Sequence, residues 1–85
     1  MKRVLMFATL YCPYCMAARQ LLKRKGVDFE EISVDDDPSL RQIMIQRSGR
    51  HTVPQIFIGD QAIGGYDELA ALNRSGELDT LLNPS

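Results

Sequence analysis

The chain has 85 residues, of which 45% are hydrophobic and 25% charged, and its net charge is -1. This length suits a single domain, 1–85, and two cysteines are too few for a disulfide scaffold, which needs many bridges. The balanced charge argues against nucleic acid as a partner, and no stretch is long enough to span a membrane.

The first predicted element is a strand over Val4–Ala8, because a continuous apolar run without a turn former is typical of a strand buried on both faces. Met1-Lys2-Arg3 before it imitates the start of a signal peptide. The apolar run is short, however, Thr9 interrupts it, and no small-x-small cleavage site precedes Cys12. We therefore interpret the run as a buried strand and expect a cytoplasmic protein.

The turn Cys12-Pro13-Tyr14-Cys15 follows this strand and holds both cysteines of the chain. Pro13 suits the first position of a helix, and apolar residues at helical spacing continue to Lys25, before the candidate cap Gly26. A thiol at a helix N-terminus lies near unpaired N–H groups and the positive end of the helix dipole, which both favour the thiolate. The second thiol lies one turn further on the same face. It is therefore close enough to attack a disulfide formed at the first.

Apolar runs and helical spacing alternate through the rest of the chain, separated by turn-forming residues. They predict a strand over Val27–Val34, a helix from the cap Asp37 to Ser48-Gly49, a hairpin of strands Gln55–Ile58 and Gln61–Ile63, a helix over Asp67–Asn73 and a short helical tail carrying Leu78, Leu81 and Leu82. The order β-α-β-α-β-β-α predicts an α/β fold. Its first two strands should be parallel, and the hairpin completes a four-stranded mixed sheet flanked by helices.

Three further motifs accompany the cysteine pair in a fixed order. Thr52-Val53-Pro54 precedes the third strand, Gly64-Gly65 follows the fourth, and Asp67 lies just beyond. With Cys12-Pro13-Tyr14-Cys15 they closely resemble a dithiol glutaredoxin of the short bacterial kind, over nearly the whole chain. The resemblance implies a thioredoxin fold and a glutathione-dependent thiol–disulfide oxidoreductase that reduces protein disulfides and glutathione mixed disulfides.

The resemblance also assigns roles to the residues of the site. Cys12 is expected to be exposed, acidic and the attacking thiol, and Cys15 to be the buried resolving thiol. Glutathione is the expected co-substrate, with no tightly bound cofactor and no metal. Pro54 is expected in the cis form, and Asp67 is expected to pair with the ammonium of glutathione. The expected glutathione-binding residues are Thr9, Tyr14, Arg41, Thr52, Val53, Pro54, Gly65, Tyr66 and Asp67.

Thr9 is the position at which this chain departs from the family that it resembles. Glutaredoxins usually have a lysine there, which helps to bind a carboxylate of glutathione and favours the thiolate. Thr9 can donate a hydrogen bond but supplies no charge. Arg41 or Arg47 is the candidate to supply the missing positive charge. Arg41 is also expected to bind the glycine carboxylate of glutathione. Together with Arg50 these residues form a possible local anion site.

Other functions remain open on the sequence alone. One is a glutaredoxin-like redoxin reduced by thioredoxin reductase, and another is a glutathione-bridged iron–sulfur carrier or metal-binding adaptor. A closed zinc site needs four ligands, whereas the chain offers two thiols and His51, which we interpret as an exposed loop residue. The expected partners are glutathione and disulfide-containing or glutathionylated proteins such as ribonucleotide reductase. We expect a monomer that binds neither nucleic acid nor membrane.

Overall fold

The computed structural model describes residues 1–84, and Ser85, the last residue of the predicted domain 1–85, lies outside them. The described chain forms a four-stranded sheet with helices packed on both faces. None of the helices within residues 1–84 has the length and apolar character needed to cross a membrane. In chain order the elements are β1 (Val4–Ala8), α1 (Pro13–Arg24), β2 (Glu30–Ser33), α2 (Pro38–Ser48), β3 (Gln55–Ile58), β4 (Gln61–Gly64), α3 (Tyr66–Ser75) and α4 (Glu77–Leu82).

Strands β1 and β3 form the inner pair of the sheet, whose order is β2-β1-β3-β4. Strand β1 runs parallel to β2 and antiparallel to β3, and β4 pairs antiparallel with β3. The parallel pair needs a crossover connection, which α1 supplies, whereas a two-residue turn joins β3 to β4. This arrangement confirms the predicted α/β thioredoxin fold with its four-stranded mixed sheet.

The predicted start of the second strand is wrong. The strand was expected over Val27–Val34, but β2 contains only Glu30–Ser33. The first residues of the expected strand instead close the C-terminus of α1, because the N–H of Val27 donates to the carbonyl of Leu22 at 3.0 Å. Gly26 permits this closure with a φ of 71°, a left-handed conformation that glycine adopts without a steric penalty.

Alternate residues of β1 point to opposite faces of the sheet and divide the core in two. On one face Met6 packs beneath α1, α3 and α4. On the other face Phe7 packs against Met44 of α2 and against Phe57, with the two aromatic rings edge to face and their centroids 5.8 Å apart. Arg47 of α2 places its guanidinium 4.7 Å from the centre of the Phe57 ring. Because β1 is covered on both faces, the turn that follows it is anchored to a rigid strand.

The tail helix α4 completes the first face of the core. Leu78 and Leu82 are buried there, and the carbonyl of Leu82 accepts a hydrogen bond of 2.8 Å from the N–H of Lys2. The ammonium of Lys25, at the end of α1, lies 2.9 Å from a carboxylate oxygen of Asp79. The predicted helical tail is therefore an integral part of the packed structure.

We expect Leu78→Ala to lower the free energy of unfolding by about 2–5 kcal/mol, because the substitution leaves a cavity in a fully packed site. Urea unfolding followed by circular dichroism measures this loss. Thr80→Ala, at an exposed position of the same helix, is the control and should change stability by less than about 0.5 kcal/mol. Equal effects of the two substitutions would show that α4 does not contribute to the core.

Candidate active site

Cys12 is the N-cap residue of α1 and is half-buried. Its sulfur accepts a hydrogen bond of 3.3 Å from the N–H of Cys15 and lies 3.7 Å from the carbonyl oxygen of Val53. Partial burial opposes ionisation of this thiol. Hydrogen bonds from the Cys15 thiol and from the N–H groups of Cys15 and Tyr14, together with the charge of Arg19, outweigh it and hold the pKa of Cys12 below its usual value.

Cys15 lies one turn further along α1 and is buried in the core beneath the helix. Burial, helped by the neighbouring Cys12, raises the pKa of its thiol to about 11, although a hydrogen bond with the backbone of Thr9 acts in the opposite direction. The two thiols are therefore distinct in acidity and in access. The lower pKa of Cys12 and the burial of Cys15 match the prediction, whereas Cys12 was expected to be exposed and is instead half-buried, because its sulfur lies against the carbonyl of Val53.

The loop between β1 and α1 is tied to the edge of the sheet. The N–H of Leu10 donates to a carboxylate oxygen of Asp35 at 2.8 Å, and the hydroxyl of Ser33 donates to the same oxygen at 3.1 Å. One residue earlier, the carbonyl of Thr9 accepts a hydrogen bond of 3.1 Å from the guanidinium of Arg19. These contacts position the backbone that immediately precedes Cys12.

A second loop, Thr52-Val53-Pro54, faces the cysteine turn. The Val53–Pro54 peptide bond is cis, as expected from the family resemblance. The side chain of Gln55 is buried beneath this loop and donates hydrogen bonds to the carbonyl of Thr52 at 2.9 Å and to its hydroxyl at 3.2 Å. The contact of Gln55 with this loop was not predicted from the sequence. A glutamine at the start of a buried strand could have indicated it, because a buried amide needs hydrogen-bond partners.

A surface groove of about 350 Å³ lies beside the two loops. It gathers six of the predicted glutathione-binding residues and two residues that were not predicted to bind it, Arg50 and Glu68. Thr9, Arg41 and Tyr66 are not among the residues that line it. The lining residues are Tyr14, Arg50, Thr52, Val53, Pro54, Gly65, Asp67 and Glu68.

Glu68 connects one wall of the groove to the start of α3. One of its carboxylate oxygens accepts hydrogen bonds from the N–H of Gly65 at 2.7 Å and from the guanidinium of Arg50 at 2.9 Å. The Gly65 N–H and then the Arg50 guanidinium hold the pKa of Glu68 below its usual value. Gly64, with a φ of 115°, leaves space for this carboxylate, since an added Cβ would lie 2.6 Å from it. A glutamate three residues after a helix cap is a recognisable capping pattern, which could have predicted the contact.

The three arginines of the predicted anion site have separate partners. Arg41 donates to the carbonyl of His51 at 3.3 Å and lines a different cleft, formed by residues 34–38. Arg47 lies over Phe57, and Arg50 lies in the groove. His51 is exposed, as predicted. Within residues 1–84, no group of three or more His, Cys, Asp or Glu side chains is placed to hold a metal ion.

Known proteins share this combination of fold and dithiol turn. A family model described as glutaredoxin matches residues 4–63. The chain belongs to the glutaredoxin family. A glutaredoxin from Pseudomonas aeruginosa is 52% identical over 83 residues, which cover 98% of this chain and 99% of that protein.

Solved glutaredoxin structures have the same fold. The solution structure of a glutaredoxin from Brucella melitensis has a TM-score of 0.85 at 50% identity and covers 96% of this chain and 89% of that one. The crystal structure of a buckwheat glutaredoxin–glutathione complex has a TM-score of 0.87 at 30% identity, and the match covers 95% of this chain and 76% of the buckwheat chain. Family membership confirms the predicted activity of a glutathione-dependent thiol–disulfide oxidoreductase. The redoxin and iron–sulfur alternatives are not favoured.

We expect iodoacetamide at about pH 7 to label Cys12 at least tenfold faster than Cys15, because the thiolate is the reacting form and only Cys12 has a lowered pKa. Peptide mass spectrometry of the reduced protein measures both rates. The labelling of Cys12 should rise with pH through a midpoint below that of free cysteine. The same protein unfolded in guanidinium is the control, and there the two rates should converge. Equal labelling in the folded protein would contradict the assignment.

Proposed function

We propose that Cys12 and Cys15 carry the glutathione-dependent reaction of this glutaredoxin. The observation that carries the proposal is the placement of the two thiols at the start of one helix. The sulfur of Cys12 caps α1 and accepts a hydrogen bond from the N–H of Cys15, whose own thiol is buried one turn further on. The Cys12 thiolate attacks the glutathione sulfur of a mixed disulfide, the substrate thiolate leaves, and Cys12 retains glutathione in a disulfide. A second glutathione thiolate then attacks that disulfide. This step releases oxidised glutathione and restores the Cys12 thiolate.

The dithiol route uses Cys15 in addition. Here Cys12 attacks a protein disulfide, and Cys15 then attacks the sulfur of Cys12 in the resulting mixed disulfide. The products are the reduced substrate and an internal Cys12–Cys15 disulfide, which two glutathione molecules reduce. The position of Cys15 one helical turn from Cys12 supports this step.

We propose the groove beside Cys12 as the glutathione site. The extended backbone of Val53 would pair with the tripeptide, in the manner of an added β-strand. The first turn of α3 would receive the γ-glutamyl carboxylate, and Asp67 would pair with the ammonium. Since Glu68 already accepts from the N–H of Gly65, the next amides, those of Tyr66 and Asp67, are the ones left for the carboxylate. The buckwheat glutaredoxin with glutathione bound supports this placement, because its fold is shared.

Of the other seven predicted glutathione-binding residues, four line the groove and three do not. Tyr14, Thr52, Pro54 and Gly65 line it and would shape the walls against the tripeptide. Arg41 stays the proposed partner of the glycine carboxylate, and Thr9 and Tyr66 complete the proposed set. Arg41 lines a different cleft from the groove. Glutathione bound from the start of α3 and along Val53 would therefore have to extend beyond the groove to reach Arg41.

Protein substrates would dock on the exposed apolar side chains around Cys12. Leu10, Tyr11, Tyr14 and Met16 are all more than half exposed, which is unusual for large apolar residues clustered in sequence. We propose that residues 1–85 form one domain that acts as a monomer in the cytoplasm. There it would pass electrons from glutathione to proteins such as ribonucleotide reductase, since a reactive dithiol suits a reducing compartment.

A coupled assay tests this function directly. The purified protein should be colourless and should accelerate reduction of a glutathione mixed disulfide by NADPH, glutathione and glutathione reductase. Activity seen only with thioredoxin reductase would point to the redoxin alternative. A brown dimer with visible absorption would point to the iron–sulfur carrier.

We expect Cys15→Ser to keep most of the activity on a glutathione mixed disulfide and to lose the reduction of a protein disulfide by the dithiol route. Cys12→Ser should lose both activities, because no attacking thiolate remains. The coupled assay with the two substrates measures each loss. If Cys15→Ser abolished both activities, the division of roles would be wrong.

We expect Asp67→Asn to raise KM for the glutathione mixed disulfide about tenfold with little change in kcat, because the substitution removes an ion pair made in substrate and transition state alike. Steady-state kinetics over a range of substrate concentrations measures both constants. Asp60→Asn removes an equal charge from the exposed β3–β4 turn and is the matched control. An unchanged KM in Asp67→Asn would remove this residue from the proposed site.

A further inference from the structure

Arg19 lies on the same stripe of α1 as the two cysteines. Cys12, Cys15 and Arg19 are separated by three and four residues, and residues at these spacings lie above one another on a helix. The Arg19 side chain is only 18% exposed, which is low for an arginine. Its guanidinium is therefore held within the structure, on the helix face that carries the thiols.

Glu31 of β2 fixes the orientation of this guanidinium. Nε of Arg19 donates to one carboxylate oxygen of Glu31 at 2.7 Å, and Nη2 donates to the other at 2.7 Å. Two parallel hydrogen bonds of this kind define the plane of the guanidinium as well as its position. The same pairing raises the pKa of Arg19, so that its charge persists throughout the pH range in which thiols titrate.

The remaining hydrogen bond of Arg19 reaches the loop before Cys12. Nη2 also donates to the carbonyl of Thr9 at 3.1 Å, and Thr9 lies three residues before Cys12 in the loop that leads to the thiol. Thr9 therefore connects Arg19 to the thiol site through its backbone, and its own side chain carries no charge. A cation at Arg19 and the loop that positions Cys12 are parts of one hydrogen-bonded unit.

Other charged groups lie near the site, and some of them already have an ion-pair or hydrogen-bond partner. Across the groove, Arg50 pairs with Glu68 at the start of α3. From the loop after β2, Asp35 accepts hydrogen bonds from Leu10 and Ser33. Asp67 lines the groove and contributes negative charge, and the uncharged carbonyl of Val53 faces the Cys12 sulfur.

We propose that the Arg19–Glu31 pair is a positioning element of the dithiol site, in which Arg19 holds the loop at Thr9 and stabilises the Cys12 thiolate by its charge. Glu31 orients the guanidinium and moderates that charge. This inference rests on the proposed role of Cys12 as the attacking thiol. It is supported by the direction of the Cys12 pKa, which the charge of Arg19 helps to lower.

The test measures the rate at which iodoacetamide alkylates Cys12 as a function of pH, in the reduced protein and without glutathione. Arg19→Gln should label about threefold more slowly at about pH 6, where the thiolate is the minor form, because loss of the cation raises the thiol pKa. At high pH, where Cys12 is fully ionised, its rate should match that of the unsubstituted protein. Arg19→Lys, which keeps the charge, should recover most of the rate at pH 6.

Two further variants distinguish the effect of the Arg19 charge from a general effect of substitution on the structure. Glu31→Gln keeps an acceptor for Arg19 but removes the neutralising charge, so its labelling at about pH 6 should be no slower than in the unsubstituted protein. Arg24→Gln removes an equal charge from the exposed last turn of the same helix and should have no effect. Circular dichroism establishes that each variant is folded.

Three outcomes would overturn the inference: an unchanged rate in Arg19→Gln, equal slowing in Glu31→Gln and Arg19→Gln, or slowing that persists at high pH. These outcomes are distinct from failure of the proposed function. If Cys12 of the unsubstituted protein labelled no faster than free cysteine, the attacking thiol itself would be wrongly assigned. Rapid labelling of Cys12 that is indifferent to Arg19 would reject this inference alone.

Discussion

The hydrogen bond from the N–H of Cys15 to the sulfur of Cys12, 3.3 Å long, is the contact on which the rest of the site depends. It makes a thiol the cap of α1, so the group that satisfies the helix end is also the reacting group. As the thiolate, Cys12 is a stronger acceptor for this hydrogen bond than as the thiol. Formation of the helix and ionisation of Cys12 therefore favour each other.

The sheet gives this helix end its surroundings. Strand β1 is covered on both faces and delivers the chain to Cys12, while the loop before β3 brings the carbonyl of Val53 to 3.7 Å from the sulfur. The groove then lies between these loops and the start of α3. Each boundary of the site is a loop or the first turn of a helix, which combines a rigid scaffold with backbone groups free to bind a ligand.

Much of the fold and part of the site could be predicted from the sequence. Apolar runs placed β1 and β3 correctly because both strands are buried, whereas Val27 was assigned to β2 because its apolar character does not distinguish a strand from a helix-closing turn. The cysteine turn and the loop at Val53 follow from local motifs. The pairings of Arg19 with Glu31 and of Arg50 with Glu68 join residues 12 and 18 positions apart, and such contacts depend on tertiary packing that periodicity does not encode.

The burial of Cys15 also has a kinetic meaning. Burial raises the pKa of the Cys15 thiol and so favours its protonated form near neutral pH. Its attack on an adduct at Cys12 therefore requires that the thiol first lose its proton. The adduct therefore has a dwell time, during which a small thiol from solution competes with Cys15. The burial that lets Cys15 fill the core beneath α1 thus also slows its attack on the adduct. The concentration of thiol in solution then decides whether Cys12 alone or both cysteines take part in a turnover.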